Sequence, residues 1–424
     1  SVVAESLKKN AGPAVIISFL IAGIVCGAAV MCYAEFASMI PVAGSAYTFT
    51  YTTVGEIMAW IIGWDLILEM LMAGSVISKY WGVYLNDFMR LMGWNANTNL
   101  TFGSFHIDIA PIIIVAFFTT LLVFGTKIGA RVDGAMTVLK IAIVFFVVIV
   151  GFFYVKASNF TPFIPPSQPA STVEGSSAVT GVMTQPLWQF ATGMTPSVYG
   201  VPGILSGAAL VFFAFIGFDV VATASEETKN PHKNVPLGIG VGMLLIIVMY
   251  MLVAVVTTGM VSYADLAKQD SPSLATAFEL VGADWAAKII SFGIVLGLAT
   301  VVMVLLLGLT RIVFAMSRDG LLPRGLSKTG KHGTPAALQI VVGAVVALVA
   351  AFFDIGVLSD MVNIGTLSAF TLVAISIPIM RKKRPDLPRA FKMPGSPWIP
   401  ILIAVANFWL MLNLSVLTWI RFVV

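Results

Sequence analysis

The sequence predicts an all-α membrane protein that crosses the bilayer many times. Of its 424 residues, 58% are hydrophobic and 10% are charged, whereas an ordinary soluble chain has roughly 25% charged residues. Apolar runs of about 18 residues or more recur along the whole chain, and each could cross about 30 Å of hydrocarbon as a helix. The strict alternation typical of membrane β-strands does not occur, so helices are needed to satisfy the backbone hydrogen bonds.

Ten spans are predicted, each from its own apolar run. In chain order they cover 13–33, 57–80, 109–126, 134–155, 204–223, 236–260, 286–316, 335–353, 357–380 and 397–417. Two long connections, roughly 81–108 and 156–203, are rich in Pro, Ser, Thr and aromatic residues. We expect these two connections to be loops that cover the outer face.

Lysine and arginine set the predicted orientation. If the short segment before the first span lies outside, most of the 24 basic residues fall in the inner connections, as the positive-inside rule requires. Ser1 then starts outside without a signal peptide, which predicts that at least one upstream span is missing. The C-terminal TWIRFVV resembles the opening of a further helix, so we expect that end to be cut as well.

The sequence offers little chemistry outside the spans. Cys26 and Cys32 are six residues apart and fall on different faces of one helix, so they are predicted to be reduced core residues without a disulfide or metal site. His106, His232 and His332 lie in predicted loops, and no HExxH motif accompanies them. The net charge of +4 comes from loops, so it bears on topology and not on nucleic acid.

Five ionisable residues lie inside predicted spans, where each costs roughly 2.5 to 3.5 kcal/mol. They are Asp65, Glu69, Lys140, Asp219 and Arg311. Asp65 and Glu69 share a helix face and are either functional or a structural polar contact between helices. Lys140 lies about six residues, roughly 9 Å, into its span; it either extends back to the inner surface or exchanges a proton in place. Arg311 is predicted to anchor the inner interface.

The stretch FFAFIGFD, residues 212–219, combines a glycine with an acid inside the span 204–223. A glycine in a membrane helix is often only a close-packing point. Here the acid follows two residues later, which favours an interrupted helix whose bare N–H and C=O groups face a ligand. Such helix ends suit the charged groups of a small zwitterion. The stretch therefore predicts a binding site at Gly217.

Several dispersed motifs carry a family resemblance over the entire chain. FFAFIGFD followed by EETKNPHKNVP, together with YAEFASMIPVAGSAY and AMSRDGLLP, resembles the amino acid, polyamine and organocation transporter superfamily. GWDLILEM with a lysine in the fifth family helix is similar to its cationic amino acid transporter branch. The resemblance implies one transporter domain over residues 1–424, with the inverted-repeat fold of the bacterial leucine transporter. The resemblance also implies that the first family helix lies outside this sequence and that only the start of the last one is included.

The resemblance also implies roles for individual residues. Those predicted to bind substrate are the aromatic gate Phe213, the backbone positions Ala214, Ile216 and Gly217, the third-helix acid Glu69 and the pocket residue Met303. Core packing is the alternative for Phe213 and Met303. Lys140, which stands where sodium-driven relatives place a cation, and Asp219, just below the site, are predicted to couple protons.

The predicted function is proton-coupled uptake of small to medium neutral L-amino acids such as alanine, by alternating access in the plasma membrane. Transport of arginine and lysine, or amino acid exchange, is the alternative. The proton gradient is the driving force, and no cofactor is expected; an accessory single-helix subunit is left open. A channel would need a continuous polar stripe along several helices, and an enzyme would need a nucleophile and base or a metal site. The sequence shows neither pattern.

Overall fold

The computed structural model describes residues 2–39, 47, 51, 55–94, 98–102, 105–125, 127–169, 181, 183–217, 230–269, 273–330, 334–383, 385–386, 389 and 391–423. The described part is mostly helical. Its helices are α1 (Val2–Lys9), α2 (Val15–Met39), α3 (Glu56–Leu91), α4 (Ile109–Phe124), α5 (Lys127–Phe152), α6 (Leu187–Thr192), α7 (Gly200–Val211), α8 (Pro231–Met260), α9 (Tyr263–Ala267), α10 (Leu274–Leu280), α11 (Asp284–Arg318), α12 (Ala336–Phe352), α13 (Ile355–Lys383), α14 (Trp398–Leu412) and α15 (Val416–Val423).

The membrane-spanning helices lie where the apolar runs predicted them. Six helical stretches in the described residues are long and apolar enough to cross a membrane, within α2, α3, α5, α8, α11 and α13. Four shorter apolar stretches coincide with α4, with α7 and the turn after it, with α12 and with α14. Each of the ten predicted spans thus contains one of these helical stretches in its described residues, and the chain is a multi-pass integral membrane protein.

Both predicted outer loops contain regular structure, which corrects the sequence prediction. Helix α3 continues past residue 80 to Leu91, and β1 (Asn99–Phe102) pairs with β2 (Phe105–Asp108) as an antiparallel hairpin. In the second connection, β3 (Gln168–Pro169) pairs with β4 (Ser197–Val198), and α6 lies between them. The extension of α3 contains Asn86, Asp87 and Arg90, which lower its hydropathy, and the predicted span therefore ended before it.

The last predicted span, 397–417, is two helices. Helix α14 ends at Leu412, where the Asn413 side chain donates a hydrogen bond to the Trp409 carbonyl at 2.8 Å. Ser415 then accepts the backbone N–H of Thr418 at 3.2 Å, which is the geometry of a helix N-cap. The turn between the helices is therefore specified by side chains that compete with the backbone hydrogen bonds.

Glycines let the long helices α3 and α11 pack closely. A Cβ on Gly63 would stand 2.6 Å from the sulfur of Met316, and one on Gly74 would stand 3.9 Å from the Cβ of Leu305. The residue numbers rise along α3 while they fall along α11, so the two helices run antiparallel. Close approach over small residues is how membrane helices gain packing energy when lipid offers no hydrophobic driving force.

One end of the helix bundle is tied together around a buried carboxylate. Glu35, at the end of α2, accepts hydrogen bonds from Arg381 Nε at 3.0 Å and Arg381 Nη2 at 2.7 Å. It also accepts the backbone N–H of Met393 at 2.7 Å, and Arg389 lies 3.6 Å away. This cluster joins α2 to α13 and to the segment after it. The same segment carries many basic residues, so this is the end predicted to face inward.

Candidate substrate site

The apolar helix that begins at Gly200 is interrupted partway. Regular α-helix ends at Val211, Phe212–Phe215 form a 3-10 turn, and Ile216 is extended with φ −69° and ψ 146°. Gly217 has φ +113°, a conformation that glycine adopts readily and other residues do not. A Cβ on Gly217 would meet no atom of the described residues within 4 Å. The backbone conformation, and not a lack of space, is therefore what requires glycine at this point.

The interruption is held in place by side chains from two neighbouring helices. Tyr250 on α8 donates its hydroxyl to the Ala214 carbonyl at 2.8 Å. Cys26 on α2 lies with its sulfur 3.9 Å from the Phe215 carbonyl oxygen, a weak S–H donor contact. A carbonyl oxygen has two lone pairs, so the Ala214 oxygen can accept a second hydrogen bond while it remains bonded to Tyr250.

Aromatic rings surround the same turn. Phe215 packs edge-to-face on Phe19 of α2 and on Tyr250 of α8, with ring centroids 6.2 Å and 5.2 Å apart. On the opposite side Phe212 packs on Phe370 of α13 at 5.7 Å. Edge-to-face pairs of this kind contribute about 0.5 to 1.5 kcal/mol beyond the area they bury. The turn is thus fixed from both sides although its backbone has left the helix.

A cavity of about 600 Å³ lies beside the interruption, within the range typical of small-molecule sites. Its lining comes from the interrupted segment and from α3, α5, α8 and α11. The lining residues are Ala73, Ile77, Thr137, Lys140, Phe213, Ala214, Phe215, Ile216, Gly217, Gly238, Ile239, Gly242, Met243, Ile246, Tyr250, Leu298, Val301, Val304 and Leu305. Most are apolar, and the described lining contains no carboxylate.

Lys140 enters this cavity across the contact between α5 and α11. A Cβ on Gly297 would stand 3.2 Å from Lys140 Cγ, and one on Gly293 would stand 2.4 Å from Cδ1 of Ile143. Gly293 and Gly297 form a small-xxx-small pattern, which lets two membrane helices approach closely. The aliphatic stem of Lys140 therefore lies over a glycine of α11, and Lys140 is part of the cavity lining.

The predicted site residues fall into three groups. Phe213, Ala214, Ile216, Gly217 and Lys140 line the one cavity together. Glu69 and Met303 do not line this cavity, and they are buried with 0% and 4% of their surface exposed. Asp219 lies outside the described residues. The substrate-binding roles of Glu69 and Met303 and the coupling role of Asp219 therefore stay predictions.

Asp65 makes a polar contact between helices, one of the two alternatives that the sequence left open. Ser368 of α13 donates its hydroxyl to Asp65 Oδ2. A Cβ on Gly365 would stand 3.4 Å from Asp65 Oδ1 and 4.0 Å from the Cβ of Glu69. Both acids on α3 thus face the same small-residue stretch of α13, next to the cavity wall and not in it.

Three features of the site escaped the sequence reasoning. Tyr250 is the polar tip within MLLIIVMYMLV, and a hydroxyl in an apolar run is a signal that it needs a buried partner. Gly238 and Gly242 are spaced i, i+4 in PLGIGVGM, so they present one bare face of α8 to the cavity. The small-xxx-small pattern GIVLG at 293–297 marks the contact that receives Lys140.

Comparisons with known proteins place the chain among membrane carriers. The family model described as amino acid permease matches residues 1–422. The chain is similar to the branched-chain amino acid permease BcaP of Bacillus subtilis (strain 168), with 42% identity over 423 residues, covering 98% of this chain and 84% of that protein. It is also similar to the methylthioribose transporter of the same bacterium, with 38% identity over 421 residues, covering 98% of this chain and 84% of that protein.

A more distant similarity extends to plants. The cationic amino acid transporter 3, mitochondrial, of Arabidopsis thaliana shares 36% identity over 381 residues, which cover 88% of this chain and 58% of that protein. These relatives are carriers of small molecules and not enzymes.

Proposed function

Because the chain belongs to the amino acid permease family, we propose that it is a secondary transporter which couples the uptake of neutral L-amino acids to the proton gradient. The observation that carries the proposal is the interrupted helix at 212–217 with a cavity of about 600 Å³ against it. A cell membrane location follows from the multi-pass helices and the bacterial relatives.

The amino end of the substrate is assigned to the interrupted segment. The carbonyl end of α7 and of the turn after it carries partial negative charge, and the Ala214 oxygen can accept a hydrogen bond besides the one from Tyr250. A substrate ammonium placed there gains a charge-assisted hydrogen bond, which is stronger than a neutral one. A solute without a positively charged or donating group would not form this hydrogen bond.

The side chain of the substrate is assigned to the apolar wall. Ile77, Ile246 and Leu298 are among the apolar side chains facing the cavity, and they suit small to branched aliphatic groups. Lys140 in the same lining opposes a cationic side chain by charge repulsion. The relative from Bacillus subtilis is named a branched-chain amino acid permease, which agrees with the assignment of an aliphatic side chain to this wall.

Transport of arginine or lysine is the second candidate. The similarity to a cationic amino acid transporter and the buried carboxylate of Glu69 favour it. A cationic side chain could reach Glu69 only if the cavity wall opens toward α3. Transport of arginine or lysine therefore requires this opening, whereas transport of a neutral amino acid does not. Uptake competition with leucine, alanine and arginine separates them.

The inverted-repeat fold is part of the proposal, and helix packing supports it. In that fold the helices of one five-helix repeat correspond in order to those of the other, so α2 corresponds to α8, α3 to α11 and α4 to α12. Each of these three pairs is in extensive contact. A two-fold axis in the membrane plane that relates the repeats would bring corresponding helices together in this way.

Lys140 is proposed as the proton-coupling group. In its charged form it would join α5, α11 and the interrupted segment around the cavity, in place of a bound metal cation. Loss of its proton toward the inside would weaken these contacts and favour substrate release. One elementary charge crossing the membrane potential supplies about 2.3 kcal/mol per 100 mV, enough for useful accumulation.

The test compares substrate exchange with pH-driven uptake in liposomes. We expect Lys140→Ala to retain counterflow of labelled against unlabelled substrate while losing accumulation driven by an inward proton gradient. Lys268→Ala, at an outer lysine whose side chain is 70% exposed, is the control and should retain both activities. Continued pH-driven accumulation by Lys140→Ala would show that the coupling role is wrong. Absence of counterflow in the unaltered protein would refute the transporter function itself.

A further inference from the structure

We propose that a groove between α2 and α8 binds an acyl chain of an anionic phospholipid, with the lipid headgroup at Lys233. The groove has a volume of about 640 Å³, and we call it the inner groove. Its walls are Gly27, Val30, Met31 and Ala34 on α2, residues between Lys233 and Ile247 on α8, and Phe391 at its inner mouth. It is separate from the candidate substrate cavity.

The inner groove begins beside a contact between the two helices. Ile247 of α8 lies against α2, because a Cβ on Gly23 would stand 3.3 Å from its Cγ1 and one on Gly27 would stand 3.5 Å from its Cδ1. Nearer the start of α8, a Cβ on Gly240 would meet no atom of the described residues within 4 Å. Within the described part of the chain, the inner groove therefore extends from Ile247 at its upper end to Lys233 at its lower end.

The length of the inner groove fits one lipid tail. Fourteen residues separate Lys233 from Ile247, which is about 21 Å along a helix axis at 1.5 Å per residue. One leaflet contributes about 15 Å of hydrocarbon, half of the usual 30 Å core. A groove that starts at the level of the headgroups and ends just beyond the bilayer midplane therefore matches a single leaflet and not a full span.

The charge of the inner groove selects the class of lipid. Its lining is apolar apart from Lys233, whose side chain is exposed at the end of the bundle predicted to face inward. A basic group at this depth attracts anionic headgroups by about 1 kcal/mol, which corresponds to about fivefold in affinity. A phosphatidylglycerol-like lipid, with an aliphatic tail and a negative headgroup, satisfies both parts of the groove.

The charge of Lys233 argues against a protein occupant. Leu237 and Leu244, on the rim of the inner groove, are 59% and 65% exposed, as expected of side chains that face lipid. A partner helix or a second copy of this chain lying in the groove would cover Lys233 with apolar surface, which is costly for a cation. A phospholipid instead brings its own negative charge to that position.

The inner groove adjoins the candidate substrate site. Met243 lines both the groove and the cavity beside the interrupted helix, so a lipid tail would support the wall that α8 provides to the substrate. This consequence rests on the proposed function, whereas lipid binding itself does not. The two can therefore fail independently.

The experiment measures lipid binding by native mass spectrometry of the detergent-purified protein. Phosphatidylglycerol and phosphatidylcholine with identical acyl chains are titrated separately. We expect the first phosphatidylglycerol to bind about fivefold more tightly, and Lys233→Gln to bring the ratio of the two affinities close to one. Gly240→Leu should weaken both lipids, because the new side chain occupies the inner groove without a collision. Val248→Leu, at a lipid-facing position outside the groove, is the matched control and should bind as the unaltered protein does.

Three results would overturn the proposal. Equal affinity for both lipids in the unaltered protein removes the headgroup site. A preference that survives Lys233→Gln places that site elsewhere. If the unaltered protein forms a dimer, and Gly240→Leu abolishes the dimer while lipid binding is unchanged, the inner groove binds a second copy of this chain and not a lipid. The Lys233→Gln comparison keeps its meaning whatever Gly240→Leu does to folding, and counterflow by the unaltered protein tests the transporter function separately.

Discussion

Replacing Tyr250 by phenylalanine tests whether the opened backbone at Ala214 binds the substrate. The substitution keeps the ring that packs on Phe215 and Phe19 at 5.2 Å and 6.1 Å. It removes only the hydroxyl that donates to the Ala214 carbonyl at 2.8 Å. Without this donor, the Ala214 carbonyl can satisfy its hydrogen bonding by accepting the backbone N–H four residues later, as in a continuous helix. Tyr250→Phe should therefore favour closure of the interruption.

The expected magnitude follows from the strength of one hydrogen bond within a membrane protein. Such bonds average about 0.6 kcal/mol and reach about 1.7 kcal/mol. If the substrate ammonium needs the open form, its apparent affinity should fall by about threefold to twentyfold. The Ala214 oxygen can accept two hydrogen bonds, so the Tyr250 hydroxyl and the substrate ammonium do not compete for it. Removal of the hydroxyl is therefore not expected to raise the affinity for the substrate.

The assay is the substrate concentration that half-saturates counterflow in liposomes, with alanine and leucine as substrates. Tyr263→Phe is the control, because Tyr263 packs on Tyr199 with ring centroids 5.6 Å apart and does not line the cavity. We expect the control to be unchanged. An unchanged or lower half-saturating concentration for Tyr250→Phe would refute the reasoning, because the Ala214 carbonyl would then not be part of the substrate site.

Three further substitutions test the backbone and the helix contacts. Gly217→Val should lower stability by about 1 to 3 kcal/mol through backbone strain, without a steric clash, and should reduce counterflow; a melting temperature equal to that of the unaltered protein would contradict this. Glu35→Gln should cost about 3 to 5 kcal/mol because it leaves buried arginine charge uncompensated, measured as a lower melting temperature in detergent. Gly293→Ala should destabilise the protein by about 1 to 3 kcal/mol through overpacking against Ile143. Gly297→Ala should cost less, because the flexible stem of Lys140 can move away. A larger loss of stability for Gly297→Ala than for Gly293→Ala would disprove the packing argument.

The spans could be predicted because hydropathy acts along the sequence alone. A run of apolar residues long enough to cross hydrocarbon must form a helix whatever surrounds it. Each of the ten predicted spans accordingly contains an apolar helical stretch, and six of these stretches are long enough to cross a membrane. The same criterion failed at α3 beyond residue 80 and at the turn after Leu412. In both places side-chain hydrogen bonds and amphipathic packing decide the structure, and average hydropathy does not record them.

The interruption at 212–217 could be predicted from its glycine, but its surroundings could not. The sequence indicates that Gly217 permits an unusual backbone conformation, and the φ of +113° agrees. Which side chains then hold the loosened backbone depends on the packing of α2 and α8, which no local pattern encodes. Tyr250 was missed for this reason. Glu69 was predicted to line the pocket from a motif. The contact of its Cβ with the Gly365 position of α13 depends on how α3 packs on α13, which no motif records, and its substrate-binding role stays a prediction.

The hydroxyl of Tyr250 also bears on the unloaded protein. In the proposed uptake cycle the site reorients once without substrate, and a peptide group left bare in hydrocarbon would penalise that step by several kcal/mol. The Tyr250 hydroxyl donates to the Ala214 oxygen and so removes this penalty. The second lone pair of that oxygen stays available to the substrate. The empty site can therefore return to its starting orientation while the helix stays interrupted at 212–217 and without another solute bound in place of the substrate.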